Sequence, residues 1–454
     1  MNITTLFSDR QFYKNLFVIA LPIMFQNLVN SMVNLADTVM IGRLGTVEIA
    51  AVGLGNQIVF LYTLSLFGLC SGASIFTSQF WGKRDIMGIR MNVGFSMLLA
   101  LAGGVLFTVL TAVIPARIIG IYSRDPSVIA LGAQYLRIIS ITFIPFGIST
   151  VFMHSLRSVE KVKPPMITTF IALSTNVILN YFLIFGIGPF PVMGVRGAAI
   201  ATVISRVVEM LLLVGISYIK KYPPAGSPAE LAGFGILFIK RYIRIVLPAM
   251  LNEIFWSSGM SMQNLIFART HTDAIAAFNI VVTVNQLTFI LFFGLSNGAA
   301  VLIGKRIGEG NEVKAREYAH KIAIFTPLVS IIPLGILLVI PQFIPFVFNV
   351  NETVIDHVRL MFIILASIYP FRSFNMCMVV GVFRAGGDTI FCLIYDVMFL
   401  WGFALPLAAI AAYFFKVPVW ALYICVNTEE YLKLILGIWR LRTGKWLRNV
   451  ISGI

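Results

Sequence analysis

The sequence predicts an all-α integral membrane protein with twelve transmembrane helices in two pseudo-symmetric six-helix lobes. Hydrophobic residues make up 59% of the 454 residues and charged residues only 12%, whereas a soluble domain is typically about 25% charged. The apolar residues form long runs without the alternation that a transmembrane β-barrel requires. The second half of the chain also repeats motifs of the first half.

Twelve apolar segments, separated by charged or Pro/Gly-rich breaks, predict the helices. Each has about 20 residues or more, enough for a helix to cross a hydrocarbon core of ~30 Å. The segments are 15–40, 50–76, 90–115, 131–154, 165–186, 194–218, 243–268, 275–303, 318–341, 357–380, 389–411 and 418–439. The first run is too long for the apolar part of a signal peptide, and no cleavage pattern follows it, so we expect it to be retained.

The basic residues predict the orientation in the membrane. The chain has 34 Lys and Arg residues and a net charge of +15. If the N-terminus is cytoplasmic, most of these residues, Arg384 among them, lie at the inner ends of the helices, as the positive-inside rule requires. We therefore expect both termini in the cytoplasm of a bacterial or archaeal cell, with the protein in its plasma membrane. The basic charge then meets anionic membrane lipids, and nucleic acid is not expected as a partner.

The two halves align after a shift of 226 positions. "ALPIMFQ" (20–26) aligns with "VLPAMLN" (246–252), and "LFGLCSGAS" (66–74) aligns with "FFGLSNGAA" (292–300). The glycines in the second pair of motifs form small-xxx-small patterns, which predict close helix packing. Because the second copy follows an even number of helices, the repeats run parallel, as in a two-lobed transporter with a central cavity.

The repeat also predicts the domain organisation. We expect an N-lobe over 1–219, a cytoplasmic linker over 220–240, and a C-lobe over 241–454 that ends in a basic cytoplasmic tail. The linker prediction depends on the Pro-, Gly- and Ala-rich stretch "KKYPPAGSPAELAGFG". We expect the protein to be a monomer.

The cysteines and histidines indicate no cofactor. The four cysteines lie in apolar segments at unrelated spacings, and the four histidines are scattered. Neither a disulfide framework nor a zinc site fits these spacings. The scattered histidines also give no catalytic cluster, so an enzyme is not expected.

Two carboxylates inside predicted helices are the main candidates for function. Asp37 and Glu253 lie in the first helices of the two repeats, and neither has a basic residue within four positions. Ionising a carboxylate in lipid costs ~3 kcal/mol or more, so such residues are functional candidates by default. They are not equivalent in the repeat, since Asp37 aligns with Gln263 and Glu253 with Asn27.

Other charged residues inside the predicted helices are assigned by their spacing. The pairs Arg206/Glu209 and Glu429/Lys433 are three and four residues apart, so we interpret them as structural pairs. Asp396 and Arg372 have no such neighbour. We assign them to an acidic site of the C-lobe together with Glu253, in which Arg372 would neutralise Glu253 or Asp396.

Polar residues extend the two predicted sites. Asn176 and Asn180 are four apart and share a helix face. With Asp37 and Thr202 they would supply the oxygens that a desolvated cation requires; the alternative is hydrogen bonding between helices, worth ~1 kcal/mol. Candidate polar residues of the cavity are Asn56, Gln57, Gln263, Asn285 and Gln286.

The chain resembles the multidrug and toxic compound extrusion (MATE) family over essentially its full length. The motifs that carry the resemblance are "LPIMFQNLVNSMVNLADTVMIGRLG", "ALSTNVILNYFLIFG", "GVRGAAIAT", "LPAMLNE" and "VFRAGGDT". The resemblance implies a V-shaped, two-lobed antiporter without a cofactor. Such a protein exports small cationic, amphipathic or aromatic compounds in exchange for Na⁺ or H⁺.

The resemblance also implies roles for individual residues. Asp37 matches the acid of the family's first helix, Asn176 the asparagine that accompanies it, and Glu253 the acid of helix seven. Asn180 stands where one branch has a second aspartate, and Ser373 stands roughly where another branch has an aspartate. The resemblance therefore places Na⁺ or H⁺ at Asp37 or at Glu253, without deciding between them.

Three other functions are compatible with a chain of this class. A flippase of the same superfamily for a lipid-linked precursor would need a cluster of basic residues in the cavity to bind pyrophosphate. A membrane enzyme would need a polar catalytic cluster, and a channel typically needs a filter sequence. The sequence shows none of these features, so export of cationic compounds is the predicted function.

Overall fold

The computed structural model describes residues 9–347 and 350–453, which form helices with no strand among them. Each of the twelve predicted segments coincides with a long helix. The helices are α1 (Arg10–Gly42), α2 (Thr46–Lys83), α3 (Ile86–Val113), α4 (Pro126–Ser158), α5 (Lys163–Phe185), α6 (Val195–Ile219), α7 (Ile236–Ala268), α8 (Thr272–Gly308), α9 (Glu312–Gln342), α10 (Glu352–Phe383), α11 (Thr389–Tyr413) and α12, whose two parts are Val419–Asn427 and Glu429–Thr443. Short helices at Pro115–Gly120, Pro228–Leu231 and Ile344–Val347 lie in the connections.

Ten of the long helices in the described part of the chain are long and apolar enough to cross a membrane. The exceptions are α7 and α12. The 33 residues of α7 are long enough, but they include Asn252, Glu253 and Gln263, and α12 is interrupted at Thr428. The fold class predicted from the apolar runs, an all-α membrane protein, is confirmed.

Local sequence signals set where several helices begin and end. The side chain of Asp85 accepts a hydrogen bond from the backbone N–H of Gly88 at the start of α3. Asn351 caps α10 in the same way through the N–H of Val354. Such caps satisfy N–H groups that have no partner within the helix. At the end of α5, Gly186 has a φ of +67°, which a residue with a Cβ rarely adopts.

The chain divides into two compact units. Unit N is Phe25–Tyr242, and unit C is Ile243–Ile454 together with the described part of Met1–Met24. The boundaries therefore lie inside α1 and α7, whereas the predicted lobes divide at 219 and 241. The first turns of α1 belong to unit C, and the first turns of α7 belong to unit N. The functional division into lobes and linker stays a prediction.

Packing inside each unit explains this division. In unit C, a Cβ at Gly294 would lie 2.4 Å from Met24 Cγ and 3.0 Å from the carbonyl oxygen of Ala20, so α1 contacts α8 closely there. In unit N, the ring of Tyr242 stacks on Phe76 with centroids 5.6 Å apart, and its hydroxyl lies 2.8 Å from Ser96 Oγ. The predicted packing role of the second small-xxx-small pattern is confirmed at Gly294.

A substitution at Gly294 tests this packing. We expect Gly294→Ala to destabilise the protein by ~1–3 kcal/mol, because the added methyl group has no space between α8 and α1. The matched control is Gly335→Ala in α9, where a Cβ would meet nothing within 4 Å and helix propensity favours alanine by up to ~1 kcal/mol. Thermal unfolding of the two variants in detergent is the measurement. Equal stability of both would contradict the close contact.

The predicted linker packs against α3 within unit N. Ser227 and Glu230 form a reciprocal capping box around the short helix Pro228–Leu231, and Glu230 pairs with Arg90 of α3 at 2.5 Å. The backbone hydrogen bond from Ser227 and the neighbouring Arg90 keep the pKa of Glu230 below its usual value. A Cβ at Gly94 would lie 1.8 Å from the carbonyl oxygen of Leu231, so only glycine allows this contact. The segment is thus a packed element and not a flexible tether.

Candidate functional site

The structure brings Asp37, Asn176, Asn180 and Thr202 together inside unit N. Asn180 Nδ2 donates a hydrogen bond to Asp37 Oδ1 at 2.7 Å, and Asn180 also lies 3.2 Å from Asn176 Oδ1. One orientation of the Asn176 amide donates to Thr202 Oγ1 at 3.3 Å, and the other donates to the two Asp37 oxygens at 3.2 and 3.3 Å. Helices α1, α5 and α6 thus meet at this cluster, which we call the Asp37 site.

The Asp37 site has the composition of a site for a small cation. Asn176 and Asn180 are buried, with 4% and 1% of their surface exposed, while Asp37 is half-buried. Asp37 forms no ion pair within the described residues. Asn180 Oδ1 is buried without a hydrogen-bond partner. A buried oxygen of this kind indicates an additional partner, and oxygen ligands around one carboxylate suit Na⁺ as well as a proton.

A second polar network, the Arg157 network, lies in the same unit. Arg157 Nη2 donates to Gln26 Oε1, and Gln26 Nε2 donates to Thr169 Oγ1 at 2.6 Å. Thr169 Oγ1 in turn donates to Glu209 Oε1 at 2.8 Å. Arg206 pairs with Glu209 at 2.8 Å, which confirms the structural pair predicted from their spacing. Since Thr202 and Arg206 are one turn apart on α6, this network begins next to the Asp37 site.

Glu253 of unit C is paired with a cation. Its Oε1 lies 2.6 Å from Arg384 Nη1, and both side chains are buried. Arg384 Nη2 also donates to Asn252 Oδ1. From its position at the end of an apolar segment, Arg384 is predicted to be one of the basic residues that set the orientation in the membrane. The structure corrects this, because only 3% of its surface is exposed and its guanidinium neutralises Glu253.

The polar network of unit C continues to Asp396 and α12. Asn252 Nδ2 donates to Asp396 Oδ2 at 2.9 Å, and Lys433 Nζ lies 2.9 Å from Asp396 Oδ1. Lys433 is also 3.0 Å from Glu429 Oε2, which confirms that predicted pair. Lys433 therefore bridges two buried carboxylates, and Asp396 is not an isolated acid. We call this chain from Glu253 to Glu429 the Arg384 network.

The predicted role of Arg372 as the partner of Glu253 or Asp396 is wrong. The acid beside it is Glu430, with Arg372 Nε 3.7 Å from Glu430 Oε1, and its guanidinium lies 5.7 Å from the centroid of the Phe289 ring. Glu430 also accepts a hydrogen bond from Asn375 Nδ2 at 2.9 Å. Glu253 and Asp396 are neutralised instead by Arg384 and Lys433, which the sequence analysis assigns elsewhere.

The Arg157 and Arg384 networks occupy matching places in the two repeats. Gln26 and Asn252 align in the repeat, and Arg157 and Arg384 align through "LRS" and "FRA". In each unit, Nη2 of the arginine donates to the amide oxygen on the leading helix. None of these four residues is predicted as a site residue from the sequence, although the two repeats align them in pairs.

The five candidate cavity residues do not join either site within the described contacts. Asn56 accepts a hydrogen bond from the hydroxyl of Tyr135 at 2.9 Å. Gln57 and Gln286 are exposed, Asn285 is half-buried and Gln263 is buried. Their predicted position in the cavity stays a prediction.

Buried carboxylates inside two repeated bundles of membrane helices define a class of protein. Ionisable side chains within the membrane mark ion and substrate pathways, and parallel repeats of six helices are the architecture of secondary transporters. The protein is therefore a membrane transporter. The family model MatE matches residues 22–182 and 248–413, and the chain belongs to the MatE family, whose members are transporters and not enzymes.

Full-length relatives agree with this assignment. The chain is 25% identical over 446 residues to the probable multidrug resistance protein NorM of Thermotoga maritima, covering 96% of this chain and 94% of that protein. It is 24% identical over 451 residues to the uncharacterized transporter YisQ of Bacillus subtilis, covering 97% and 96%. Its fold matches the outward-facing conformation of a multidrug resistance MATE family transporter of the MOP superfamily, with a TM-score of 0.86, 20% identity and coverage of 95% and 96%.

Proposed function

We propose that the protein is a secondary antiporter that exports cationic, amphipathic or aromatic compounds in exchange for Na⁺ or H⁺. The single observation that carries the proposal is the Asp37 site. There a half-buried carboxylate is held by amide groups and has no ion pair within the described residues. The names of relatives such as the probable multidrug resistance protein NorM support drugs as the exported compounds.

The Asp37 site is the proposed coupling site because its carboxylate is open to an external cation. The carboxylates of Glu253 and Asp396 already lie within 3 Å of Arg384 and Lys433. A proton or Na⁺ that enters there would have to displace a tethered cation in a buried environment, which is costly. At Asp37 the incoming ion would replace only hydrogen bonds from neutral amides. We therefore assign the coupling ion to unit N.

Coupling requires that the ion and the exported compound favour different conformations. A ligand shifts a conformational equilibrium only by its difference in affinity for the two states. The proposed cycle has the ion bound at Asp37 in one state and the cationic compound attracted by the vacated carboxylate in the other. The ion gradient then drives export. In this scheme the carboxylate is the one group that both cations need.

The charged residues of unit C count against the flippase alternative. A flippase for a lipid-linked precursor needs basic side chains that can bind a pyrophosphate. Among the described basic residues of unit C, Arg372, Arg384 and Lys433 each lie next to a carboxylate of the same chain. Their charge is thus neutralised within the protein.

We further propose that the transporter is a monomer in the plasma membrane, with both termini in the cytoplasm.

Ethidium transport in everted membrane vesicles tests the proposal and identifies the ion. We expect uptake into the vesicles when a Na⁺ gradient or a pH gradient is imposed, and we expect that one gradient alone is sufficient. The two gradients are imposed separately, with an ionophore for each ion as the control. Uptake that needs neither gradient, or no uptake above vesicles without the protein, would contradict the antiporter assignment.

A further inference from the structure

A surface cleft of about 440 Å³ lies between α4 and α6 in unit N. It is lined by Ala130, Ala133, Gln134, Arg137, Ile138 and Arg196. Ala130, Ala133, Gln134 and Arg137 follow the i, i+3, i+4, i+7 spacing of a single helix face. The two alanines leave space there, while the two arginines reach the cleft from different helices. The cleft is therefore both cationic and partly apolar.

The positive charge of the cleft has no acidic partner in the described structure. Arg137 and Arg196 are exposed, neither forms an ion pair with a described carboxylate, and no acidic residue lines the cleft. Arg196 is also in the first turn of α6, a 25-residue helix whose N-cap is Gly194 and has no side-chain cap. The start of a helix carries a partial positive charge. Three positive contributions thus meet at one place.

The position of the cleft along the helices indicates the edge of the membrane. Arg196 is the second residue of α6, and Arg137 is eleven residues after Pro126, the first residue of α4. At 1.5 Å per residue, α4 begins ~16 Å beyond the level of Arg137. The cleft therefore lies at the level where the shorter helix α6 begins. In the proposed topology this end faces outward, where the positive-inside rule gives no reason for arginine.

We propose that this cleft binds the phosphate headgroup of an anionic phospholipid. Guanidinium groups match phosphate oxygens with paired, charge-assisted hydrogen bonds, and the Gln134 amide would donate to the ester or glycerol oxygens. Ala130, Ala133 and Ile138 provide an apolar wall for the glycerol and the first acyl carbons. A free phosphate ion has no apolar part that could pack against this wall, so the proposed occupant is a lipid. The cleft shares no lining residue with the Asp37 site.

Lipid-dependent stability of the full-length protein tests the site. We compare thermal unfolding in nanodiscs of pure phosphatidylcholine with nanodiscs that also contain phosphatidylglycerol. We expect phosphatidylglycerol to raise the unfolding temperature of the wild type, and the Arg137→Gln/Arg196→Gln variant to lose most of that increase. The control is Arg117→Gln, which removes one exposed positive charge from the helix Pro115–Gly120, outside the cleft. It should keep the increase.

Binding itself is measured by native mass spectrometry of lipid adducts, which does not depend on the stability of the variants. We expect the double variant to bind phosphatidylglycerol ~10-fold more weakly than the wild type, and Arg117→Gln to bind it like the wild type. Equal binding by all three proteins would overturn the proposal. Protection of the wild type by inorganic phosphate in phosphatidylcholine nanodiscs, with no further effect of phosphatidylglycerol, would assign the cleft to a free anion and would overturn the lipid assignment.

Discussion

Asp37→Asn is expected to abolish ion-driven efflux while the protein inserts and folds normally. The amide keeps the shape of the side chain and its hydrogen bonds with Asn180 and Asn176, and it removes a partly buried charge, so stability should not fall. Gradient-driven ethidium transport should decrease ~100-fold or more, because an ion with no differential affinity cannot shift the conformational equilibrium. Drug binding measured without a gradient should decrease less.

The control for this variant is Asp356→Asn. Asp356 lies near the start of α10 with 70% of its side chain exposed, and its partner Arg359 is on the same helix. Losing this carboxylate should leave transport unchanged. Asn180→Ala is a second, graded variant, since it removes one donor to Asp37 and should raise the ion concentration needed for half-maximal transport. If Asp37→Asn retains wild-type transport, the carboxylate is structural and the proposed coupling site is wrong.

Arg384→Gln is expected to be the most destabilising single substitution in unit C. It leaves the buried carboxylate of Glu253 without the guanidinium that lies 2.6 Å from it. Breaking a buried ion pair by removing one partner typically costs ~3–5 kcal/mol, because an uncompensated charge remains. Glu253→Gln removes the other partner and leaves Arg384 buried, so it should also destabilise. The double variant Glu253→Gln/Arg384→Gln should be more stable than the sum of the two single effects predicts.

A double-mutant cycle measured by thermal or denaturant unfolding in detergent quantifies this coupling. The matched control is the cycle of Glu253→Gln with Arg372→Gln. Arg372 pairs with Glu430 and not with Glu253, so its effects should add to those of Glu253 within ~0.5 kcal/mol. Additive effects in the first cycle, or strong coupling in the second, would contradict the observed pairing.

The Asp37 site was largely predictable because it depends on short-range spacing. Asn176 and Asn180 are one helical turn apart, so a helix must place them on one face. A carboxylate inside an apolar run must find polar partners, since lipid supplies none. These two constraints were enough to group Asp37 with the asparagines and Thr202. Which helix faces α1 was not predictable, but only polar residues inside other helices could serve as partners.

The partner of Glu253 could not be found in the same way. Arg384 lies at the end of an apolar segment, where an arginine usually marks the cytoplasmic end of a helix. Whether such a side chain points to water or turns into the bundle is decided by the packing of helices that are far apart in sequence. Here 131 residues separate Arg384 from Glu253. The repeat offered a signal, because Arg157 and Gln26 make the matching contact.

The sequence alone determined the membrane fold, the repeat and the shared helix face of Asn176 and Asn180, because these follow from constraints that act within one helix or between repeated motifs. In lipid, every backbone polar group must be paired within its own segment, so an apolar run of sufficient length has to be a helix. Tertiary structure decided which charges neutralise each other and where the units divide. Those outcomes depend on which helices touch, as when Arg384 pairs with Glu253 of α7, and long-range contacts of that kind leave no local pattern in the chain.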